Sequence, residues 1–206
     1  MDRQALQQRD GRDNGRPEAD PLDSYLRGLS SAIDRLARDQ VWAVVDVLLQ
    51  ACRDGRRIYL VGNGGSASTA SHIANDLNKQ ASVDGHAMFR AIALTDNVPL
   101  ITAWANDEDY GMVFSRQLDN HLEPGDVLVA ISTSGRSVNV IRALELARAR
   151  GARTVGFTGA DGGDMLPLLD CCVLVPSDDI GHQEAVHLAL DHAITMALRA
   201  RIAGEA

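Results

Sequence analysis

The 206-residue chain lacks several features that would assign it to a membrane, secreted or zinc-knuckle class. No apolar run reaches the roughly 18 residues of a membrane span, and no charged segment followed by an apolar one predicts a secretory signal, so we expect a cytoplasmic protein. Three cysteines cannot complete a disulfide framework. Cys171 and Cys172 are adjacent in an apolar segment, which is typical of buried free thiols, and no CxxC pair is present to hold a structural metal.

Lysine is almost absent as well. Lys79 is the only lysine among 20 basic residues, which stand against 28 acidic residues and give a net charge of −8. The arginines are scattered and form no basic stripe, which disfavours nucleic-acid binding. An anionic ligand would therefore be held by local groups such as loop amides and hydroxyls.

The chain divides into a polar leader and one domain. Residues 1–20 mix both charge signs and offer little apolar surface to bury, so we predict a flexible leader followed by a single domain over 21–206. Apolar residues from Leu22 to Leu36 recur at three- and four-residue spacing, which predicts an amphipathic helix. A second helix, over about 40–53, is apolar over a broad arc, which is typical of a core helix or a subunit contact.

The rest of the chain alternates short apolar runs with helical patterns. Such alternation predicts an α/β, doubly wound, three-layer fold in which helices cover both faces of a mostly parallel sheet. The predicted strands are 57–62, 87–94, 126–131, 153–157 and 171–176, and the predicted helices are about 66–80, 97–121 with an interruption at 107–111, 137–149, 163–169 and 181–201.

Two loops follow a predicted strand and open a predicted helix, which is where ligands bind in such folds. The first runs from Gly62 to Ser66, and Asn63, Gly64 and Ser66 are candidate ligand contacts, although a plain strand-to-helix turn explains the same residues. It lacks both the dinucleotide fingerprint and the Gly-Lys-Ser/Thr ending of a P-loop, so we expect no nucleotide cofactor. The second loop carries four hydroxyls, of which we expect one to cap the helix and the set to bind phosphate: Ser132, Thr133, Ser134 and Ser137.

Together these motifs resemble the SIS (sugar isomerase) domain, and specifically the phosphoheptose isomerase group, over about residues 22–200. The resemblance is carried by GNGGS at 62–66 with His72 and Asp76, STSGRS at 132–137, GFTG at 156–159, PSDD at 176–179, and His187 and His192. It implies a five-stranded parallel sheet and N-terminal helices in a homotetramer interface, where neighbouring subunits complete each site. It also implies a bound zinc ion and a ketose–aldose isomerase that converts sedoheptulose 7-phosphate to D-glycero-D-manno-heptose 7-phosphate through an enediol or enediolate.

The resemblance also implies the acid, the base and the metal ligands. His72 and Asp76 lie four residues apart on one helix face, and family members carry a glutamine eight residues before the late histidine. Counting back from His192 leads to Glu184, with Gln183 as the alternative. The implied zinc ligands are His72, Asp76, Glu184 and His192. Asp76 and His192 are the implied acid–base pair, while Glu184 and His72 act as ligands or orienting groups and Glu184 also contacts the substrate. Two positions depart from the family pattern, because Asp76 stands where glutamate is usual and Glu184 where glutamine is usual.

Other residues admit two interpretations. Asp96 resembles a family position near the substrate hydroxyls but fits an Asx cap equally well, Asp179 fits either an N-cap or a sugar contact, and Lys79 fits a substrate contact or a solvated helix end. Two other functions remain compatible with the fold. One is a non-catalytic scaffold like the SIS factor that binds the bacterial replication initiator, and the other is a different phosphosugar isomerase or sensor.

Overall fold

A computed structural model describes residues 20–204 of the chain. The leader predicted for residues 1–20 lies outside the described residues except for Asp20, whose carboxylate accepts a hydrogen bond from the Leu22 amide and caps the first helix. Seven α-helices and five strands follow. They are α1 Pro21–Asp34, α2 Arg38–Arg53, β1 Arg57–Gly62, α3 Gly65–Lys79, β2 Arg90–Ala93, α4 Val98–Asp107, α5 Ser115–His121, β3 Val127–Ser132, α6 Val138–Ala149, β4 Arg153–Thr158, β5 Cys171–Leu174 and α7 Ile180–Ala203.

All five strands pair in parallel in one sheet with the order β2-β1-β3-β4-β5, which confirms the predicted α/β doubly wound fold. Side chains alternate across each strand, so Ile58 and Leu60 face α2, α3 and α7, whereas Tyr59 and Val61 face α5 and α6. The sheet therefore forms the middle of three layers. Its order reverses direction between β1 and β3, and this is the position at which open α/β sheets bind ligands.

Two predicted elements differ most from the structure, and β5 is also shorter than predicted, Cys171–Leu174 rather than 171–176. Strand β2 spans Arg90–Ala93 rather than 87–94, because it lies at the sheet edge and its pairing with β1 begins only at Arg90 opposite Arg57. The predicted helix over 163–169 is a 3₁₀ helix, Gly163–Leu168, that contains Pro167, whose missing amide hydrogen cannot support an α-helical ladder.

The helix surfaces are unevenly covered. Helix α7 packs against α1, α2 and α3, yet Met196 on it is 72% exposed. On α1, Leu22 and Leu26 of the predicted apolar face are 63% and 51% exposed, so the described part of the chain leaves these two side chains largely uncovered. Within residues 20–204, no helix has the length and apolar character needed to cross a membrane.

Candidate active site

The two predicted ligand loops lie side by side at the carboxyl ends of β1 and β3, where Gly62 pairs with Ile131. Asn63 and Asn139 join them through reciprocal amide hydrogen bonds of 2.9 and 2.8 Å, and the Tyr110 hydroxyl donates to the same Asn63 oxygen at 2.9 Å. Gly64 precedes α3 with φ +55°, a conformation that favours glycine. These contacts hold the first loop against α6 and leave the amino end of α3 beside the hydroxyl-rich loop.

The hydroxyl-rich loop does not use its side chains to cap α6. Ser137 is the N-cap residue but makes no side-chain cap hydrogen bond, and its hydroxyl lies 3.4 Å from that of Ser132. Ser132 Oγ and Ser134 Oγ accept hydrogen bonds from Gly135 and Arg136 amides inside the loop itself. The expectation that one hydroxyl caps the helix is therefore wrong, because the backbone turn at Gly135 (φ +62°) brings loop amides, not helix amides, to these oxygens.

A third loop, residues 159–163, supports the hydroxyl-rich loop. The Gly159 amide donates to the Thr133 carbonyl at 3.0 Å. A Cβ atom on Gly135 would lie 2.2 Å from the Gly162 carbonyl oxygen, and one on Gly163 would lie 2.4 Å from the Ser134 carbonyl oxygen. Only glycines permit this approach. A cleft of about 330 Å³ opens beside the contact, lined by Thr133, Ser134, Arg136, Gly159, Ala160, Asp161, Asp178, Ile180 and Gln183.

Two histidines and two aspartates form a compact cluster where α3 meets α7. Asp76 Oδ2 lies 3.3 Å from His192 Nδ1 and 3.7 Å from His72 Nε2, and His72 Nε2 lies 3.8 Å from Asp191 Oδ2. One ligand atom from each of the four residues lies within 4.8 Å of the others. Asp76 and Asp191 are buried, whereas His192 is exposed and His72 partly so. The cluster therefore opens toward solvent on its histidine side.

Burial raises the pKa of one of these carboxyl groups. Desolvation, and secondarily the nearby charge of Asp76, raises the pKa of Asp191 to about 6. Its Oδ1 accepts a 3.4 Å hydrogen bond from the Thr195 hydroxyl, whereas Oδ2 has no hydrogen-bond partner among the described residues. A buried carboxylate oxygen without a donor is costly, so this site favours a cation or a proton there.

Glu184 does not join the cluster, and this corrects the predicted metal set. A Cβ atom on Gly65 would lie 2.4 Å from Glu184 Oε1, so this carboxylate faces the start of α3. Glu184 and His192 are about 12 Å apart along α7, and Gly65 and His72 are about 10 Å apart along α3. Because the two helices pack side by side, Glu184 meets Gly65 while Asp191 and His192 meet His72 and Asp76.

The alternative residue, Gln183, also lies elsewhere, since its side-chain amide donates to the Ser177 carbonyl at 2.7 Å. The sequence does contain a pattern that could have indicated Asp191 as a site residue. It lies seven residues, about two helical turns, after Glu184, so both carboxylates are on the same face of α7. The spacing alone does not say whether Glu184 or Asp191 lies beside His72.

Comparison with known proteins identifies this architecture. The family model described as "SIS domain" matches residues 24–159. A phosphoheptose isomerase of Bradyrhizobium sp. (strain BTAi1) is 40% identical over 188 residues, covering 89% of this chain and 94% of the relative. The chain belongs to the phosphoheptose isomerase family of SIS-domain proteins.

Solved structures of the family agree with this membership. A phosphoheptose isomerase from Neisseria gonorrhoeae matches with a TM-score of 0.78 and 31% identity, covering 87% of this chain and 95% of that one. A phosphoheptose isomerase from Francisella tularensis matches with a TM-score of 0.79 and 25% identity, covering 86% and 94%.

The remaining predicted site residues of this family member lie at separate places in the fold. Ser66 is buried in the first turn of α3. Asp96 follows β2, accepts a hydrogen bond from the Ser71 hydroxyl of α3 and lines a separate cleft of about 650 Å³. Asp179 is the N-cap of α7 and accepts from the His182 amide at 3.1 Å, as the capping interpretation predicted. Lys79 lies exposed at the last residue of α3.

Proposed function

We propose that this protein interconverts sedoheptulose 7-phosphate and D-glycero-D-manno-heptose 7-phosphate. The observation that carries the proposal is the cluster of two histidines and two buried aspartates where α3 meets α7, in a chain 40% identical to a phosphoheptose isomerase over most of its length. A non-catalytic scaffold would gain nothing from two carboxylates buried next to each other, which is an unfavourable arrangement without a chemical use.

The phosphate end of the substrate fits the hydroxyl-rich loop. Ser132, Thr133, Ser134 and Ser137 offer hydroxyl donors beside the amino end of α6, where the helix dipole favours an anion. We assign Asn63, Gly64 and Ser66 of the neighbouring loop, and Asp96, which accepts a hydrogen bond from Ser71 of α3, as further substrate contacts. His72 lies two turns into α3, about 10 Å from the helix start, which leaves room for an extended sugar chain between the phosphate and the reacting carbons.

Aldose–ketose isomerisation moves one proton between neighbouring carbons and another between neighbouring oxygens. We assign Asp76 as the base that takes the carbon-bound proton and His192 as the group that exchanges protons with the oxygens. The 3.3 Å contact between His192 Nδ1 and Asp76 Oδ2 lets these two groups share a proton. His72 and Asp191 hold the pair in place from the opposite side. We assign Glu184 of α7, whose carboxylate faces Gly65 at the start of α3, to substrate contact rather than to the cluster.

The four cluster residues also fit a zinc ion. Imidazole nitrogens and carboxylate oxygens are zinc ligands. Tetrahedral coordination at about 2.0–2.1 Å separates ligand atoms by roughly 3.3 Å, close to the 3.3, 3.7 and 3.8 Å separations of the three nearest pairs in the cluster. The unpaired Oδ2 of Asp191 is a vacant acceptor that an ion would satisfy. His72, Asp76, Asp191 and His192 would hold the ion, and a bound ion would stabilise negative charge on the substrate oxygens.

Solvent-exchange measurements test the proposed function. The parent protein, incubated with sedoheptulose 7-phosphate in deuterated water, should incorporate deuterium at C1 or C2, and five- and six-carbon ketose phosphates should exchange more slowly. Asp76→Asn should reduce the rate by at least about 100-fold because it removes the base. Asp46→Asn, an exposed carboxylate on α2, is the matched control. Absence of exchange with every sugar, or full activity of Asp76→Asn, would refute the assignment.

We also propose a cytoplasmic homotetramer. The exposed apolar side chains on α1 and α7, including Leu22, Leu26 and Met196, are what a subunit contact would cover. The cytoplasm is where phosphorylated sugar intermediates are made and used. Light scattering coupled to gel filtration should give four times the 22.1 kDa chain mass, and Met196→Glu should lower the mass while the fold is retained. A monomeric parent would refute the assembly.

A further inference from the structure

Among the described residues, Arg136 is the only cationic side chain that lines the 330 Å³ cleft beside the hydroxyl-rich loop. Its Nη2 forms an ion pair of 2.6 Å with Asp161 Oδ2, and its Nη1 donates to the Ser134 carbonyl at 2.9 Å. The guanidinium carries five N–H donors, so three of them have no acceptor among the described residues. The side chain is 53% exposed, so it can reorient without disturbing the core.

We propose that Arg136 is a phosphate-binding arm that leaves Asp161 and pairs with the phosphate of the substrate. No other residue from 20 to 204 brings a positive side chain to this cleft, whereas Asp161 and Asp178 bring negative charge to it. A dianionic phosphate in the loop is a stronger acceptor for a planar guanidinium than a single carboxylate. Asp161 then competes with phosphate for the Arg136 guanidinium, and it holds this side chain beside the cleft when no phosphate is bound.

Several contacts confine the movement to the Arg136 side chain when its partner changes from Asp161 to phosphate. The backbone amide of Arg136 is anchored to Ser134 Oγ at 3.2 Å, inside the loop that would hold the phosphate. Asp161 is fixed independently, because its Oδ1 accepts from the Gly163 amide at 3.2 Å. The hydrogen bond from Arg136 holds the pKa of Asp161 below its ordinary value, so the carboxylate stays charged and competes over the whole working pH range. Release of the arm therefore leaves both loops in place.

Substituting the two partners separately tests the inference, because the signs of the two effects differ. Arg136→Gln should weaken the binding of inorganic phosphate, measured by calorimetry, by about tenfold. Asp161→Asn keeps the Oδ1 acceptor for Gly163 but loses the competing charge, and should tighten phosphate binding by about threefold. Arg150→Gln, which breaks an exposed Arg–Asp pair at the far end of α6, should change nothing and is the matched control.

A purely structural ion pair would give a different pattern. If Arg136 and Asp161 only tie the two loops together, both substitutions should weaken phosphate binding, and that result overturns the inference, as does an unchanged affinity in both. If Arg136→Gln does not fold, the Asp161→Asn variant alone tests the inference, and it must then bind phosphate more tightly than the parent protein. In turnover assays, Arg136→Gln should raise KM for the sugar phosphate with little change in kcat.

The inference rests on the proposed function only in taking a sugar phosphate as the ligand. Phosphate binding that depends on Arg136 in a protein with no isomerase activity would refute the proposed function and support the arm. Isomerase activity with a KM unaffected by Arg136→Gln would refute the arm and leave the proposed function standing.

Discussion

His187 makes the stability of this fold depend on pH. Its side chain on α7 is 1% exposed and packs against Phe157 with ring centroids 6.0 Å apart. Nε2 faces the Thr158 carbonyl at 3.4 Å and Nδ1 has no hydrogen-bond partner among the described residues. Burial lowers the pKa of His187 from 6.5 to about 4. The folded protein therefore keeps this imidazole neutral under conditions in which the unfolded chain protonates it.

The expected loss of stability follows from these two pKa values. Because the unfolded chain binds the proton near pH 6.5 and the folded chain only near pH 4, the contribution is fully present above pH 6.5 and declines as the pH falls. Between pH 7 and pH 5 the free energy of unfolding should fall by about 2 kcal/mol through this group. Below pH 4 the total loss should reach about 3 kcal/mol.

Urea unfolding at pH 7 and pH 5, with a chelator present so that metal occupancy is constant, measures this loss. His187→Leu removes the titrating group, so its free energy of unfolding should decline by about 2 kcal/mol less than that of the parent between the two pH values. The raised pKa of Asp191 acts in the opposite direction, but it is common to both proteins and cancels in the difference. Parallel losses in parent and variant would refute the burial argument.

Two further predictions test the site and its loop. Asp191→Asn should weaken zinc affinity by at least about tenfold in chelator competition because it removes a buried ligand, whereas Glu184→Gln should leave affinity unchanged. The reverse order would favour the ligand set that the family resemblance implied. Gly135→Ala should cost more than about 2 kcal/mol in urea unfolding, because its φ is +62° and the new Cβ meets the Gly162 carbonyl. Gly55→Ala has a similar φ of +64° but open space, so it should cost only about 1 kcal/mol, and equal costs would contradict the steric argument.

Replacement of the usual glutamate by Asp76 changes the reach of the proposed base rather than its chemistry. The shorter side chain still lies within 3.3 Å of His192, because α3 and α7 pack closely here. The second buried carboxylate is supplied by Asp191, not by Glu184. The two departures from the family pattern therefore change which helix position carries the negative charge, and the proposed acid–base pair of Asp76 and His192 remains in contact.

Local patterns in the chain were enough to predict most of the fold. The alternation of apolar runs and helical spacing predicted a mostly parallel sheet with helices on both faces, and the family resemblance implied five parallel strands. The start of β1 is as predicted because its first residue pairs in the sheet. The ends of β2 were not predictable in the same way. An edge strand ends where its single neighbour stops pairing with it, and that depends on another part of the chain.

Sequence by itself determined the family, the two loops and the pair of His72 and Asp76, because each depends on residues that are close along the chain. Only the tertiary structure decided that Asp191, rather than Glu184, completes the cluster, that the hydroxyls of the second loop leave α6 uncapped, and that Arg136 stands opposite Asp161. Each of these depends on how two separate elements are aligned in space. That alignment is set by packing across the whole core, and no short stretch of sequence contains it.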